Sequence, residues 1–260
     1  MNKLNSVLRW WPPLYNFAHI WYWRIRGLVE HIMGTKIQEG YWAKRHLSQG
    51  NDWNSNRYLG RDDEWVMSYW DSQSHSHRSF LLDRISDFSP ISSILEIGCN
   101  CGPNLYLIAK KFPGAGIKGI DINPVAIQLG NEVFAKEGIS NVSLSVGKAD
   151  ELHGLRDKSF DVVFTDAVLI YIGPDKIKKV IKEMIRIAQQ ALIMVEWHCE
   201  PQIKDPHGLG IYHFGHWKRN YVDLLKQFIP EEQVWLTKIP PHLWPDKNWE
   251  RIGYIIEARM

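Results

Sequence analysis

The chain has 260 residues, 45% hydrophobic and 23% charged, a composition that excludes a disordered or fibrous protein and suits one elaborated globular domain. With a formal net charge of +2 and no long Lys/Arg run, it offers no electrostatic footprint for nucleic acid, and no such partner is expected. Three cysteines, two of them in Cys99-Asn100-Cys101, make no disulfide framework, so a reducing, cytoplasmic location is expected.

Residues 1–90 are aromatic-rich, and helices are predicted there. The stretch around Trp10 to Trp23 is interrupted by Pro12-Pro13 and too short to span a bilayer, and no signal-peptide cleavage site follows it. Leu14, Phe17, Ala18, Trp21, Ile25, Leu28, Val29 and Ile32 repeat at helical spacing, with Asn16, His19, Arg26 and Glu30 opposite and Arg24 nearby. The expectation is a helix that packs this stripe on the domain. Peripheral membrane contact through residues 10–33 is the alternative, because Trp and Arg occur together. A second amphipathic stretch, Glu64 to Asp71, precedes the first strand.

From residue 91 short apolar runs alternate with helical segments, the pattern of strand-helix units. Strands are predicted at 93–97, 117–120, 142–146, 160–165 and 191–196, and helices at 103–111, 124–137 and 174–188. Each of those helices has a proline at its predicted first position, where the missing N–H costs nothing. A loop of about twenty residues, a helix over 217–228 and strands near 233–238 and 253–258 close the chain.

Ile94-Leu95-Glu96-Ile97-Gly98-Cys99-Asn100-Cys101-Gly102-Pro103 reads as a buried strand, a tight glycine turn and a helix start. The dinucleotide fingerprint fails, because its three glycine places hold Gly98, Asn100 and Pro103. An acid at Glu96 would repel a pyrophosphate but tolerate a nucleoside with a cationic end. Asp121 ends the second strand, where a carboxylate can accept from ribose hydroxyls, and Asp150 follows the third, where it can accept from an adenine amine. Thr165 to Tyr171 lies at the carboxyl end of the fourth strand, where open α/β sheets bind ligands.

In those motifs and their order, residues 94–196 resemble the class I S-adenosylmethionine-dependent methyltransferases, in particular the type-11-like domain. The resemblance implies an α/β, Rossmann-like fold of seven mostly parallel strands with the last antiparallel, here in residues 91–260 behind an N-terminal helical lid, 1–90. It implies S-adenosylmethionine as cofactor, held by Glu96, Gly98, Asn100 and Gly102, by Asp121 with Ile122, by Ala149 and Asp150, and by Asp166. Tyr69 and Trp70 are expected to cover it, an aromatic face suiting a sulfonium. Arg78 is expected on a solvated helix surface.

Thr165-Asp166-Ala167-Val168 is not the Asn/Asp-Pro-Pro-aromatic tetrad of methylases that act on exocyclic or amide nitrogen. A small or medium-sized acceptor methylated at oxygen is therefore expected. His198, just past the fifth strand, is the first candidate base, His213 the second, and Tyr171 can orient the acceptor. The spacing His207-x5-His213-x2-His216 fits no common zinc site, and no metal is expected. A nicotinamide-dependent oxidoreductase and a non-catalytic scaffold with the same fold are the rival readings. The oligomeric state is not legible.

Overall fold

The computed structural model describes residues 12–45, 64–200, 205 and 207–260, with the side chains of 12–15 and 64 outside that description. Among the described residues four α-helices precede the first strand: α1 (Pro12–Met33), α2 (Lys36–Trp42), α3 (Glu64–Asp71) and α4 (Ser76–Ser86). Three strand-helix units come next: β1 (Ser93–Ile97), α5 (Pro103–Lys111), β2 (Gly116–Asp121), α6 (Pro124–Lys136) and β3 (Val142–Val146), then β4 (Phe160–Asp166), α7 (Ile177–Ile187) and β5 (Ala188–Trp197). The chain ends with a hairpin of β6 (Ile211–His213) and β7 (His216–Lys218), then α8 (Tyr221–Leu225), β8 (Val234–Lys238), α9 (Lys247–Ile252) and β9 (Gly253–Arg259).

Seven strands form one sheet in the order β3-β2-β1-β4-β5-β9-β8. The chain-terminal β9 runs antiparallel to both β5 and β8, and the remaining pairs are parallel. Alternation along each strand fills two cores, one per face. Ile94, Val162, Phe164, Ile193 and Val195 belong to one, Leu95, Val163, Leu192 and Met194 to the other. Register brings Ile97 beside both Ile120 and Thr165. The carboxyl ends of β1, β2 and β4 therefore lie level, and the turns that leave them share one crevice.

Three sequence expectations need correction. The predicted helix 174–188 begins at Ile177, so Pro174 is not its first residue. Asp175 is instead engaged by the junction between α1 and α2, where its carboxylate accepts from Thr35 N and Oγ1 at 3.0 and 2.8 Å. The predicted helix 217–228 shrinks to α8, because Trp217 lies in β7. Phe214 and Gly215 both have positive φ, 46° and 90°, the requirement of a tight hairpin turn, and Asn220 caps the short helix that remains by accepting from Asp223 N at 3.0 Å.

The third correction concerns α1. It is helical, but its apolar stripe is turned away from the domain: Phe17, Trp21, Ile25, Leu28 and Ile32 are exposed, whereas Gly27 and Glu30 are buried. Glu30 accepts from Arg26 Nε and Gln38 Nε2, each at 2.9 Å. At Gly27 a Cβ would come within 2.8 Å of the Tyr212 ring. Small and polar residues face inward.

Candidate active site

A cavity of about 490 Å³ opens at the level carboxyl ends of β1, β2 and β4 and is roofed by Thr35 and α2–α4. Gly98, Asn100, Asp121, Ile122, Ala149, Asp150, Asp166, Tyr69 and Tyr171 of the expected site line it. Among the described residues Glu96, Gly102, Trp70, His198 and His213 are not on its wall.

The glycine turn is built by conformation. Gly98, Asn100 and Gly102 have φ of 77°, 51° and 87°, the left-handed region that glycine enters freely and asparagine more readily than most residues. A Cβ at Gly98 would stand 2.2 Å from Val168 Cγ2. Asn100 is stabilised in place of a glycine because its Oδ1 accepts from Cys101 N at 2.8 Å and its N–H donates to Asp121 Oδ2 at 2.8 Å. Asp121 also accepts from Asn123 N at 2.8 Å. Burial raises this carboxyl above its usual range, opposed by those backbone bonds. The acid is thus pinned at the crevice, with lone pairs left for hydroxyl donors.

Glu96 and Asp166 face each other across Asn104. Glu96 Oε1 accepts from Asn104 Nδ2 at 2.7 Å, and the same amide donates to Asp166 Oδ2 at 3.0 Å. Glu96 Oε2 and Asp166 Oδ1 are buried without a partner. Two carboxyl groups with spare oxygens beside a cavity suit a ligand ammonium group. Burial pushes Glu96 up to about 8, whereas against its own burial Asp166 is held far below the usual range by His77, Arg78 and Asn104. Glu96, buried and off the cavity wall, stands behind Asp166.

Arg78, expected on a solvated surface, is 4% exposed. It donates to Asn104 Oδ1 at 2.7 Å, Asp166 Oδ2 at 3.2 Å and Ser72 O at 3.0 Å, and lies over the Tyr69 ring at 5.2 Å. His77 Nε2 contacts Asp166 Oδ2 at 2.9 Å, and His77 Nδ1 contacts His75 Nδ1 at 2.6 Å. The His77 ring packs on Trp244 at 3.9 Å, which stacks on Trp249 at 3.8 Å. His75 reaches the cavity, and burial with the nearby His77 and Arg78 lowers its pKa. This line of Asp166, His77 and His75 escapes sequence reading, because Asp166 is 89 residues from His77.

Trp70 belongs to the core, packed edge-on against Tyr106 and Phe134 at 5.1 and 5.7 Å. Its neighbour Tyr69 joins Trp65, Trp42 and Tyr171 in an aromatic wall, with the Trp42 and Tyr171 rings 4.6 Å apart. Asp150 lines the opposite side but is ion-paired to Lys176 Nζ at 3.0 Å, which also holds Glu39 of α2.

His198 is buried away from the cavity. Past Trp197 the chain bridges to Arg219, and His198 Nδ1 accepts from Tyr221 N at 3.2 Å while its ring meets Tyr254. Its role is to fasten the end of β5 to α8. His213 lies in β6 with its ring against Phe214 at 4.8 Å. Both have lowered pKa values, chiefly from burial. It is His216 that touches the site's edge, its ring 5.1 Å from Tyr171.

Two fully buried charges shape the turn after β4. Glu196 Oε1 accepts from Thr165 Oγ1, Val168 N and Leu169 N at 2.9, 3.1 and 2.9 Å, and Oε2 from Ile170 N at 3.1 Å. From the other side, Arg219 donates to Leu169 O at 2.6 Å, to Leu209 O at 2.8 Å and to Ile172 O. One residue takes the turn's N–H groups and the other its carbonyls. This clamp sets Val168 against Gly98 and Tyr171 at the cavity.

A family model described as a methyltransferase domain matches residues 89–244. The chain is 33% identical over 108 residues to the probable chloroplastic tocopherol O-methyltransferase of Oryza sativa subsp. japonica, which covers 40% of this chain and 29% of that relative, under a third of its length. In fold it resembles an S-adenosylmethionine-dependent methyltransferase from Aquifex aeolicus, with a TM-score of 0.50, 15% identity and coverage of 77% of this chain and 98% of that one. It also resembles geranyl diphosphate C-methyltransferase from Streptomyces coelicolor A3(2), in complex with Mg2+, geranyl diphosphate and S-adenosyl-L-homocysteine, with a TM-score of 0.52, 12% identity and coverage of 70% and 76%. These likenesses favour neither the nicotinamide-dependent oxidoreductase nor the non-catalytic scaffold. The pinned Asp121 and the spare oxygen of Asp166 at the wall fit the ribose and ammonium ends of S-adenosylmethionine. The chain belongs to the methyltransferase-domain family, and its fold is that of the class I S-adenosylmethionine-dependent methyltransferases.

Proposed function

We propose that the protein methylates a small or medium-sized, largely apolar acceptor at an oxygen atom, with His75 receiving the proton. When bound, S-adenosylmethionine supplies the electrophilic methyl group. Asp121 holds its ribose, Asp166 at the cavity wall its ammonium end with Glu96 behind it, and Ile122 and Ala149 flank the adenine. The aromatic wall of Trp42, Trp65, Tyr69 and Tyr171 excludes water and positions the acceptor. Tocopherol and geranyl diphosphate, in the names of two similar proteins, are acceptors of that apolar kind.

The observation that carries the reading is the line Asp166–His77–His75 ending in the cavity. With Asp166 ionised, His77 Nε2 donates to it, so His77 Nδ1 accepts from His75 Nδ1. That tautomer leaves His75 Nε2 with its lone pair, and protonation there is stabilised through His77 by Asp166. The 3.5 Å contact from His77 N to His75 Nδ1 is too long to compete with the 2.6 Å one.

The test supplies the full chain with S-adenosylmethionine and a panel of phenols, other hydroxyl compounds and amines, and monitors S-adenosylhomocysteine formation. Turnover is expected with hydroxyl acceptors. His75→Gln should cut it by about 10²–10⁴-fold with S-adenosylhomocysteine affinity retained. The acid limb of the wild-type pH profile should lie below the ordinary histidine range, because the neutral imidazole is the active form. Turnover of amines alone, or an unchanged His75→Gln profile, would overturn the proposal. Cys99, Cys101 and Cys199 are free thiols, which supports a cytoplasmic site of action, and peripheral contact with a membrane there belongs to the same reading.

A further inference from the structure

Nine of the sixteen exposed large hydrophobic residues among those described lie on α1. Phe17, Ile25, Leu28 and Ile32 are 61, 59, 62 and 73% exposed, and with Trp21 and Val29 they form one continuous outward stripe over four turns. Such a stripe on one helix is more than scattered surface apolarity. The inward face, by contrast, is held by Glu30, Arg26 and Gln38, with Gln38 Nε2 donating to Gly215 O of the β6–β7 hairpin at 3.3 Å. Phe214 at that hairpin's tip is itself 47% exposed and stacks on His19 of α1 at 5.8 Å, which extends the apolar surface.

Charge then selects the occupant. Every exposed charged residue from 16 to 45 is basic, namely Arg24, Lys36 and Lys44, while Glu30 is buried and Glu39 is ion-paired to Lys176 and Lys148. Arg24 lies over the Trp21 ring at 5.6 Å, so a guanidinium flanks the indole at the edge of the stripe. An apolar face with Trp and Arg at its margin, in a segment whose exposed charges are all basic, matches the headgroup and acyl layers of an anionic bilayer. No described helix is long and apolar enough to cross a membrane, so contact is at the surface.

We infer that the outward face of α1, with Phe214, seats the protein on an anionic lipid surface. α1 runs directly into Thr35, Gln38, Glu39 and Trp42, which line the cavity. Docking therefore brings the cavity's roof to the lipid interface, where an apolar acceptor is dissolved. That use of the contact rests on the proposed methyl transfer, whereas the contact itself does not.

The test is sedimentation of the full chain with vesicles of phosphatidylcholine alone and of phosphatidylcholine mixed with phosphatidylglycerol. Binding is expected to the anionic vesicles and to weaken with added salt. The double variant Ile25→Glu/Leu28→Glu, at exposed positions that leave the inner face untouched, should bind them about tenfold or more weakly with S-adenosylhomocysteine affinity unchanged. Wild-type protein left in the supernatant with both vesicles, or equal sedimentation of the variant, would overturn the inference. A dimer in light scattering that the variant dissociates, without vesicle binding, would assign the face to a second copy of the chain and overturn it too. If vesicles bind but S-adenosylhomocysteine does not, the methyltransferase reading fails and the lipid contact stands.

Discussion

Asp166→Ala is expected to lower unfolding free energy by about 3–5 kcal/mol, the range for removing one partner of a buried ion pair. The side chains of Arg78 and Asp166 are each 3% exposed and 3.2 Å apart, so the variant leaves a buried guanidinium without its counter-charge. It also strips the acceptor from His77 Nε2 and one of the two acceptors from Asn104 Nδ2. Urea unfolding monitored by circular dichroism measures the loss. Asp166→Asn keeps the shape and some hydrogen bonds and should lose less stability, yet fail equally in ligand binding, because the charge is gone. The depressed carboxyl sets the sign with pH. Its stabilisation is present above the ordinary aspartate range, near pH 4, and is lost as pH falls through the lower folded value. The wild type's stability advantage over Asp166→Asn should therefore be full near neutral pH and shrink in acid as Asp166 is protonated.

The second large effect is at Glu196. Its removal leaves Leu169 N and Ile170 N buried, and Val168 N and Thr165 Oγ1 unpaired. At roughly 1–3 kcal/mol for each buried group left unsatisfied, Glu196→Ala should cost about 4 kcal/mol or more. The turn it shapes carries Val168 and Tyr171, so ligand binding should weaken even where the fold survives. Glu196 also gives stability a pH slope of the opposite kind. Burial raises it to about 7, partly offset by the four donors. In the unfolded chain a glutamate ionises near pH 4. Between those values the folded state binds the extra proton, so stability falls as pH rises. Glu96, pushed up to about 8, adds to the same fall over a window that extends higher. Glu196→Gln should flatten its part of the slope, and equal slopes in variant and wild type would contradict the assignment.

Legibility in the sequence was local. Glycines around Gly98 and Gly102, and an acid where an apolar strand ends, are punctuation within a few residues. They located the turn and Asp121 because the conformations they require are set by those residues themselves. Long-range placement was not legible. His77 meets Asp166 only because the fold brings the start of α4 to the carboxyl end of β4. His198 looked well placed by its distance from β5, but pairing with Arg219 turns that segment away. Trp70 and Tyr69 are adjacent in sequence, yet successive positions on a helix point to different sides, so one entered the core and the other the cavity. The stripe of α1 shows the same limit: periodicity identifies an apolar face but not whether it faces the protein. Pro174 promised a helix start until Asp175 was claimed by Thr35, 140 residues away.

The central claim is that the level ends of β1, β2 and β4 form a pocket for S-adenosylmethionine, with Asp121 as its anchor. Calorimetric titration of S-adenosylhomocysteine into the wild type and into Asp121→Ala tests it most directly. The account predicts saturable binding by the wild type, and a loss of about a hundredfold or more in the variant, as expected when a charged hydrogen-bonding group in a buried site is removed. Absence of binding to the folded wild type, or equal affinity in Asp121→Ala, would contradict it.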